Sequence, residues 1–300
     1  MEIKDNAITD PLVSIIIPAY HGKKYLPEAL ESITVQAYTR WELILVEDGS
    51  SDGTEQIIKD FAAKNTGHRV AYLRHESKRG PSAARNTALH SARGEYIALL
   101  DCDDIWKPSH LTEGMNALKK NDADAAYSTV LVFHEGDREA SAPFGPTPEN
   151  LKNFPACLYG GNFITTSSVM MKKSSLKAIG LFCEDDRNTD DWDCWIRLAR
   201  AGCKFVHVDG VHTLYRVHPA QTSRNMLYMY QRELFLLKKH RDWDLISKSL
   251  KRRRRSEVYM RISLLHYHQG SFFNALRAML NSFIMDPRYC FLKNAGRIFR

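Results

Sequence analysis

Short apolar runs alternate with helix-periodic stretches along the first hundred residues. Val13-Ser14-Ile15-Ile16-Ile17 is β-branched and closed by Pro18, the pattern of a central strand covered on both faces. Leu26, Ala29, Leu30 and Ile33 then recur at helical spacing, which predicts an amphipathic helix starting near Lys24. A second strand from Glu42 to Val46 stops at the turn-rich Asp48-Gly49-Ser50-Ser51-Asp52-Gly53. Thr54 can cap a helix whose apolar face is Ile57, Ile58 and Phe61. A strand near Val70 to Leu73, a helix from Ser82 to Ser91 after the breaker Gly80-Pro81, and the run Tyr96-Ile97-Ala98-Leu99-Leu100 complete the series. The order β-α-β-α-β-α-β predicts an α/β fold with a parallel, doubly wound sheet and right-handed crossovers.

The second half is less regular. Trp106-Lys107-Pro108 turns the chain into a helix from His110 to Lys120, and Asp124 to Phe133 is apolar enough for a strand. Residues 134 to 155, rich in Pro, Gly and acids, are predicted as a long surface loop. Ile164 to Met171 reads as a strand. A helix opens at Asn188-Thr189-Asp190-Asp191, with Trp192, Trp195, Ile196 and Ala199 on one face and Gly202 as C-cap. From Leu227 onward the period is helical, and Phe272, Ala275, Leu276, Met279 and Phe283 share one face of a late helix ended by Asp286-Pro287.

Charge divides the chain. Residues 226 to 300 carry 16 Lys and Arg against 5 Asp and Glu, a local +11, whereas the whole 300-residue chain is +7. A domain of residues 1–226 and a basic helical region of residues 227–300 are therefore expected, the latter suited to an anionic surface. Lys238, Lys239, Arg241, Lys248 and Lys251 to Arg255 are interleaved with Leu, Trp and Tyr, as in helices that lie on lipid headgroups; a solvated helical face is the plainer reading. A single Arg run without a recognition fold is poor evidence for nucleic acid. No apolar stretch of eighteen residues occurs, and Met1 to Asp10 lacks the basic-then-apolar pattern of a secretory signal. The six cysteines contain no C-x-x-C pair and read as reduced thiols, so a cytoplasmic protein is expected.

The chemistry concentrates at Asp101-Cys102-Asp103-Asp104. Three carboxylates at the end of a buried strand sit where an open α/β sheet binds ligands, and a hard divalent ion would relieve their repulsion; a plain turn is the alternative. Neither G-x-G-x-x-G after the first strand nor G-x-x-x-x-G-K-[ST] is present, and G-x-S-x-G is missing too. A site made by strand ends and a metal remains.

Val13 to Tyr20, Glu47-Asp48-Gly49-Ser50-Ser51-Asp52, Gly80-Pro81-Ser82-Ala83-Ala84-Arg85-Asn86 and Asp101-Cys102-Asp103-Asp104 come in an order and spacing that resembles the family 2 glycosyltransferases of GT-A fold, over roughly residues 11 to 220. The resemblance implies a Rossmann-like, mainly parallel sheet and inverting transfer of a sugar from a nucleoside diphosphate donor. Its nucleotide-sugar half would span about residues 11–120 and its acceptor half about 121–226. It implies that Pro18, Ala19 and Tyr20 lie against the nucleoside, that Asp48 accepts from the base, suiting uracil N3–H, and that Arg85 counters phosphate charge. Asp103 would bind Mg²⁺ or Mn²⁺, helped by Asp101 and Asp104. Asn188 to Asp193 is similar to the family's Glu-Asp-x-Asp segment, which makes Asp191 the general base with Asp190 in place of Glu. Tyr215-Arg216-Val217-His218 with Ser223 resembles a segment that closes over the donor, Arg216 toward phosphate and His218 toward metal or diphosphate. Gly160, Gly161, Asn162 and Trp192 fall on the acceptor side. A glycan or lipid-linked acceptor at the inner face of the cell membrane, in surface polysaccharide or glycolipid assembly, is the family-level expectation. A nucleotidyltransferase and a non-catalytic nucleotide-sugar binder stay as alternatives.

Overall fold

A computed structural model of the chain describes residues 10–185, 190–221 and 224–289. Asn188, Thr189, Ser223 and Cys290, like most of the Met1–Asp10 segment, lie outside the described residues. The chain alternates as its pattern predicts: β1 (Val13–Ala19), α1 (Leu26–Thr34), β2 (Trp41–Glu47), α2 (Thr54–Lys64), β3 (Val70–Arg74), α3 (Pro81–Ser91) and β4 (Tyr96–Leu99). It continues through β5 (Ile105–Trp106), α4 (His110–Asn121), β6 (Ala125–His134), β7 (Asp137–Phe144), α5 (Pro148–Lys152) and α6 (Phe154–Gly160). Then come β8 (Val169–Lys172), α7 (Lys173–Ala178), α8 (Asp190–Arg200), β9 (Phe205–Val217), α9 (Met226–Lys239), α10 (Lys248–His268) and α11 (Phe272–Met285).

Two compact units result, and neither ends at residue 226. The first consists of the chain up to Gly145, Ile164–Phe182 and Ala201–Val217; the second of Pro146–Phe163, Cys183–Arg200 and the chain from His218 onward. The charge step near residue 226 thus falls inside the second unit, because the two short insertions Pro146–Phe163 and Cys183–Arg200 supply helices that pack with the C-terminal ones.

Among the described residues all nine strands belong to the first unit, in the order β3-β2-β1-β4-β8-β6-β9-β5, with β7 on β6. β3, β2, β1 and β4 are mutually parallel. Their strands read as continuous apolar runs because helices cover both faces: every residue of β2 is buried, and Ile15, Ile17, Leu43 and Leu45 share a core with Leu30 and Ile33 of α1 and Ile58 of α2. β8 enters antiparallel between β4 and β6, while β9 runs parallel to β6. One close approach fixes this packing. A Cβ on Gly94 would stand 2.6 Å from the Leu12 carbonyl oxygen, so only glycine lets β4 begin against β1.

The segment predicted as a long loop, residues 134 to 155, is mostly ordered. β7 folds back on β6 through the two-residue turn Glu135-Gly136, where Gly136 takes φ +84°, and α5 follows with Thr147 as its cap. Its polar composition belongs to an edge hairpin, which needs few apolar residues. Ile164 to Met171 likewise divides: residues 166–168 form a 3₁₀ turn before β8.

The second unit is helical. The Trp192 indole N–H donates to the Leu158 carbonyl (2.7 Å), tying α8 to α6, and Tyr159 Oη donates to the Leu237 carbonyl (3.0 Å), tying α6 to α9. Arg254 is buried between Glu233 and Glu257, so the arginine run is not uniformly solvated. The face predicted on α11 divides as well: Ala275, Ala278 and Ser282 point inward, while Phe272, Leu276 and Phe283 are exposed. No helix among the described residues is long and apolar enough to cross a membrane.

Candidate functional site

In the first unit the ends of β1 and β2 are stitched together, the Asp48 N–H donating to the Ala19 carbonyl (2.8 Å). Gly49 then turns with φ +80°, and a Cβ there would lie 2.5 Å from the Ser77 carbonyl carbon. This approach lets residues 75–80 close over Asp48. Its carboxylate, 3% exposed, accepts from His75 Nδ1 (2.8 Å), the Arg79 N–H (2.9 Å) and the Gly80 N–H (2.7 Å). A carboxylate offers about four lone-pair positions, so about one is left for a further donor. Tyr20, just past β1, is 41% exposed, and the Lys78 ammonium stands 3.7 Å over its ring. Pro18 is half-buried and Ala19 buried in the strand itself.

The turn after β4 is braced from three sides. Arg85 on α3, itself buried, donates through Nη2 to Asp101 Oδ1 (2.8 Å). Ser167, wholly buried on the 3₁₀ turn, accepts the Asp101 N–H (3.0 Å) and donates to Asp104 Oδ2 (2.5 Å). The Arg216 N–H donates to the other Asp104 oxygen (3.0 Å), and its guanidinium Nε donates to the Asp103 carbonyl (2.8 Å). That guanidinium lies between the Tyr25 and Phe133 rings, with Glu28 at 3.3 Å. Asp104 is thus turned inward; burial, and next the charges of Asp103 and Asp101, push its carboxyl well above the usual range against the hydrogen bonds from Ser167 and Arg216. Asp101 and Asp103 stay half-buried. Arg216 is fastened to the backbone of the turn and to Glu28, a partner with no sequence motif to mark it. Ser167 carried no signal either: it sits in the run Thr165-Thr166-Ser167-Ser168, where any hydroxyl looks alike.

In the second unit, α8 opens with Asp190, Asp191 and Asp193 in its first turn, where the helix dipole favours negative charge. Asp190 is buried, whereas Asp191 is half-buried. The Asp191 carboxylate accepts from Asn162 Nδ2 (3.1 Å) and from the Trp192 N–H (2.6 Å), so the structure brings together two residues that the sequence marks as candidates. Gly160 and Gly161 have open space where a Cβ would be, and Trp192 is buried against α6. Asp193 is completely buried and accepts from Arg197 Nε (2.6 Å), Lys239 Nζ (2.9 Å) and His240 Nε2 (2.8 Å). His218 is buried, its N–H donating to Gln221 Oε1 (3.3 Å).

The donor set suits an ion shared with a ligand. Among the described residues no three His, Cys, Asp or Glu side chains form a cage for a metal. Mg²⁺ needs none, since it is commonly held by one or two carboxylates, waters and substrate phosphates. Asp103 and Asp101, on a turn held rigid by its neighbours, fit that pattern.

Residues 14–180 match glycosyl transferase family 2. The chain is 31% identical, over 76% of its length and 86% of the other's, to the UDP-Glc:alpha-D-GlcNAc-diphosphoundecaprenol beta-1,3-glucosyltransferase WfaP of Escherichia coli. Its fold is similar to residues 1–349 of TarS from S. aureus, solved with UDP-GlcNAc, with a TM-score of 0.70 at 17% identity over 96% of this chain and 92% of that one. It is also similar to the mannosyltransferase PcManGT of Pyrobaculum calidifontis, solved with GDP-Man and Mn²⁺, with a TM-score of 0.65 at 19% identity over 96% and 80% of the two chains.

Proposed function

The chain belongs to glycosyl transferase family 2 and is a GT-A type glycosyltransferase, and from that premise we propose that it transfers a sugar, with inversion, from a UDP-sugar to a hydroxyl of a glycan or lipid-linked acceptor. The observation that carries this is the Asp101–Asp104 turn, whose Asp101 carboxylate is held by Arg85, whose Asp104 carboxylate is held by Ser167 and Arg216, and whose Asp103 stays at the strand end. In this reading Tyr20 stacks on the base, with Pro18 and Ala19 against the nucleoside, and Asp48 uses its remaining acceptor position for uracil N3–H. Arg85 balances charge beside the diphosphate through its pairing with Asp101. Asp103, aided by Asp101, would hold Mg²⁺ or Mn²⁺, which when bound would neutralise charge on the leaving diphosphate.

The base in this reading is Asp191. It takes the acceptor hydroxyl proton as the oxygen attacks the anomeric carbon, and Asn162 orients its carboxylate. Its partial exposure favours it over buried Asp190, which is assigned to positioning. Gly160, Gly161 and Trp192 shape the acceptor side. Arg216 acts on the donor through the turn it braces, and Asp104 serves as the inner anchor of that turn. The name of the E. coli relative supports a UDP donor and a lipid-linked acceptor, hence a role in polysaccharide or glycolipid assembly at the cytoplasmic face of a membrane. The archaeal mannosyltransferase complex supports the divalent ion.

The test is a panel of nucleotide sugars screened by transfer and by metal-dependent thermal stabilisation. Asp191→Asn is expected to lower kcat by about 10²–10⁴-fold with donor stabilisation intact. Asp103→Ala is expected to lose both. Near-normal turnover by both variants would overturn the assignments.

A further inference from the structure

Helix α11 is built inside out. Its small residues Ala275, Ala278 and Ser282 face inward, and Ser282 exchanges hydrogen bonds with Ser256 of α10 (2.8 and 2.9 Å). Its large ones face outward: Phe273 is 92% exposed, Ile284 64%, and Leu276 and Leu280 about half. These positions recur every three to four residues and line one stripe along the helix. Small residues at a helix contact and large apolar ones facing away is the arrangement used where the surroundings are lipid. A water-facing helix rarely presents so continuous an apolar stripe without a partner.

The charges around the stripe select the partner. From Lys248 to Tyr289 there are, besides Arg254, which is buried between Glu233 and Glu257, eight Lys and Arg against Glu257 and Asp286, and no Asp or Glu lies between Val258 and Met285. Arg277 and Arg288 are exposed on and beside α11, and exposed Arg252 reaches the C-terminal end of α11, donating to the Met285 carbonyl (2.9 Å). Two copies of this face would bring like charges together, whereas an anionic headgroup layer matches the cations and the acyl boundary matches the stripe. We propose that α11 is an interfacial anchor, lying in the plane of an anionic bilayer with Phe273, Leu276, Leu280 and Ile284 below the headgroups. The anchor rests on the lipid-linked reading for its purpose, since it would hold the enzyme on the surface where such an acceptor resides. Its chemistry stands apart from the transfer reaction.

The test uses the full chain and sucrose-loaded vesicles of phosphatidylcholine with about 40% phosphatidylglycerol. Wild type is expected to sediment with these vesicles, and at least about tenfold more weakly with phosphatidylcholine alone. The triple variant Phe273→Ser, Leu280→Ser, Ile284→Ser is expected to lose at least about tenfold in partitioning while keeping its circular dichroism and its stabilisation by nucleotide sugar. A second probe, Phe273→Trp, guards against misfolding: the indole emission is expected to shift to the blue on adding anionic vesicles and to be quenched by brominated acyl chains. Equal vesicle binding by wild type and the triple variant overturns the proposal. So does a wild-type dimer that the triple variant dissolves and that ignores vesicles. Because donor stabilisation is read separately, failure of the anchor and failure of the transferase assignment are distinguishable.

Discussion

Replacing Asp193 with Asn removes the buried carboxylate on which Arg197, Lys239 and His240 converge. Asp193 has no exposed surface, and its oxygens accept from Arg197, Lys239 and His240 within 2.9 Å. The amide keeps the shape but turns a donor toward at least one of these donors. Breaking one member of a buried ionic cluster costs about 3–5 kcal/mol, and because Arg197 and Lys239 still reach water the lower end applies, about 3 kcal/mol. At about 2–4 °C per kcal/mol, the melting temperature is expected to fall by roughly 6–12 °C at pH 7. Acid narrows the difference. Burial alone would raise the Asp193 carboxyl, but hydrogen bonds from His240, Lys239 and Arg197 overcome it and hold it well below the ordinary 3.8. A depressed carboxyl contributes stability that is complete above its unfolded value and is lost as pH falls below it. The gap between wild type and variant is therefore widest near neutrality and narrows as pH drops below 3.8. Calorimetric melts from pH 7 to pH 3 measure both. A variant melting within about 2 °C of wild type at pH 7, or a gap that does not narrow in acid, refutes the reasoning. Asp193 also holds the helix turn that carries Asp191, so the same substitution is expected to lower kcat more than donor affinity.

Ser167→Ala leaves the Asp101 N–H and an Asp104 oxygen without their buried partner, and is expected to cost about 1–3 kcal/mol in denaturant melts and to weaken metal-dependent donor binding. Restoration of wild-type donor binding at raised metal concentration would place the defect in the turn. Arg216→Ala removes a charge-assisted bond to the Asp103 carbonyl worth about 1.5–3 kcal/mol and is expected to raise the donor KM about tenfold or more, with Arg216→Lys recovering only part because it lacks the fork. An unchanged KM in Arg216→Ala would show that the brace is dispensable.

The first four strands and their helices were legible because buried parallel strands leave unbroken apolar runs, and glycine and proline mark their ends. The Asp101–Asp104 and Asp190–Asp193 segments were legible because each gathers three carboxylates within four residues. The hairpin from Asp137 to Phe144 was not, since an edge strand can form from residues with little apolar content. Ser167 and Glu28 were not legible either. Each matters only through a partner, Ser167 through Asp104 some 63 positions away and Glu28 through Arg216 at the far end of the sheet.

By itself the sequence determined which residue types are available for chemistry and which segments form the alternating sheet, since both depend on local periodicity and composition. Tertiary structure alone decided how those residues are used. It turned Asp104 inward and made Arg216 a brace. It sank Asp193 among three donors and set the small side of α11 against α10, leaving Phe273 and its neighbours outside. Burial and hydrogen-bond partnership are settled by chain segments far apart in sequence, and no local pattern records them.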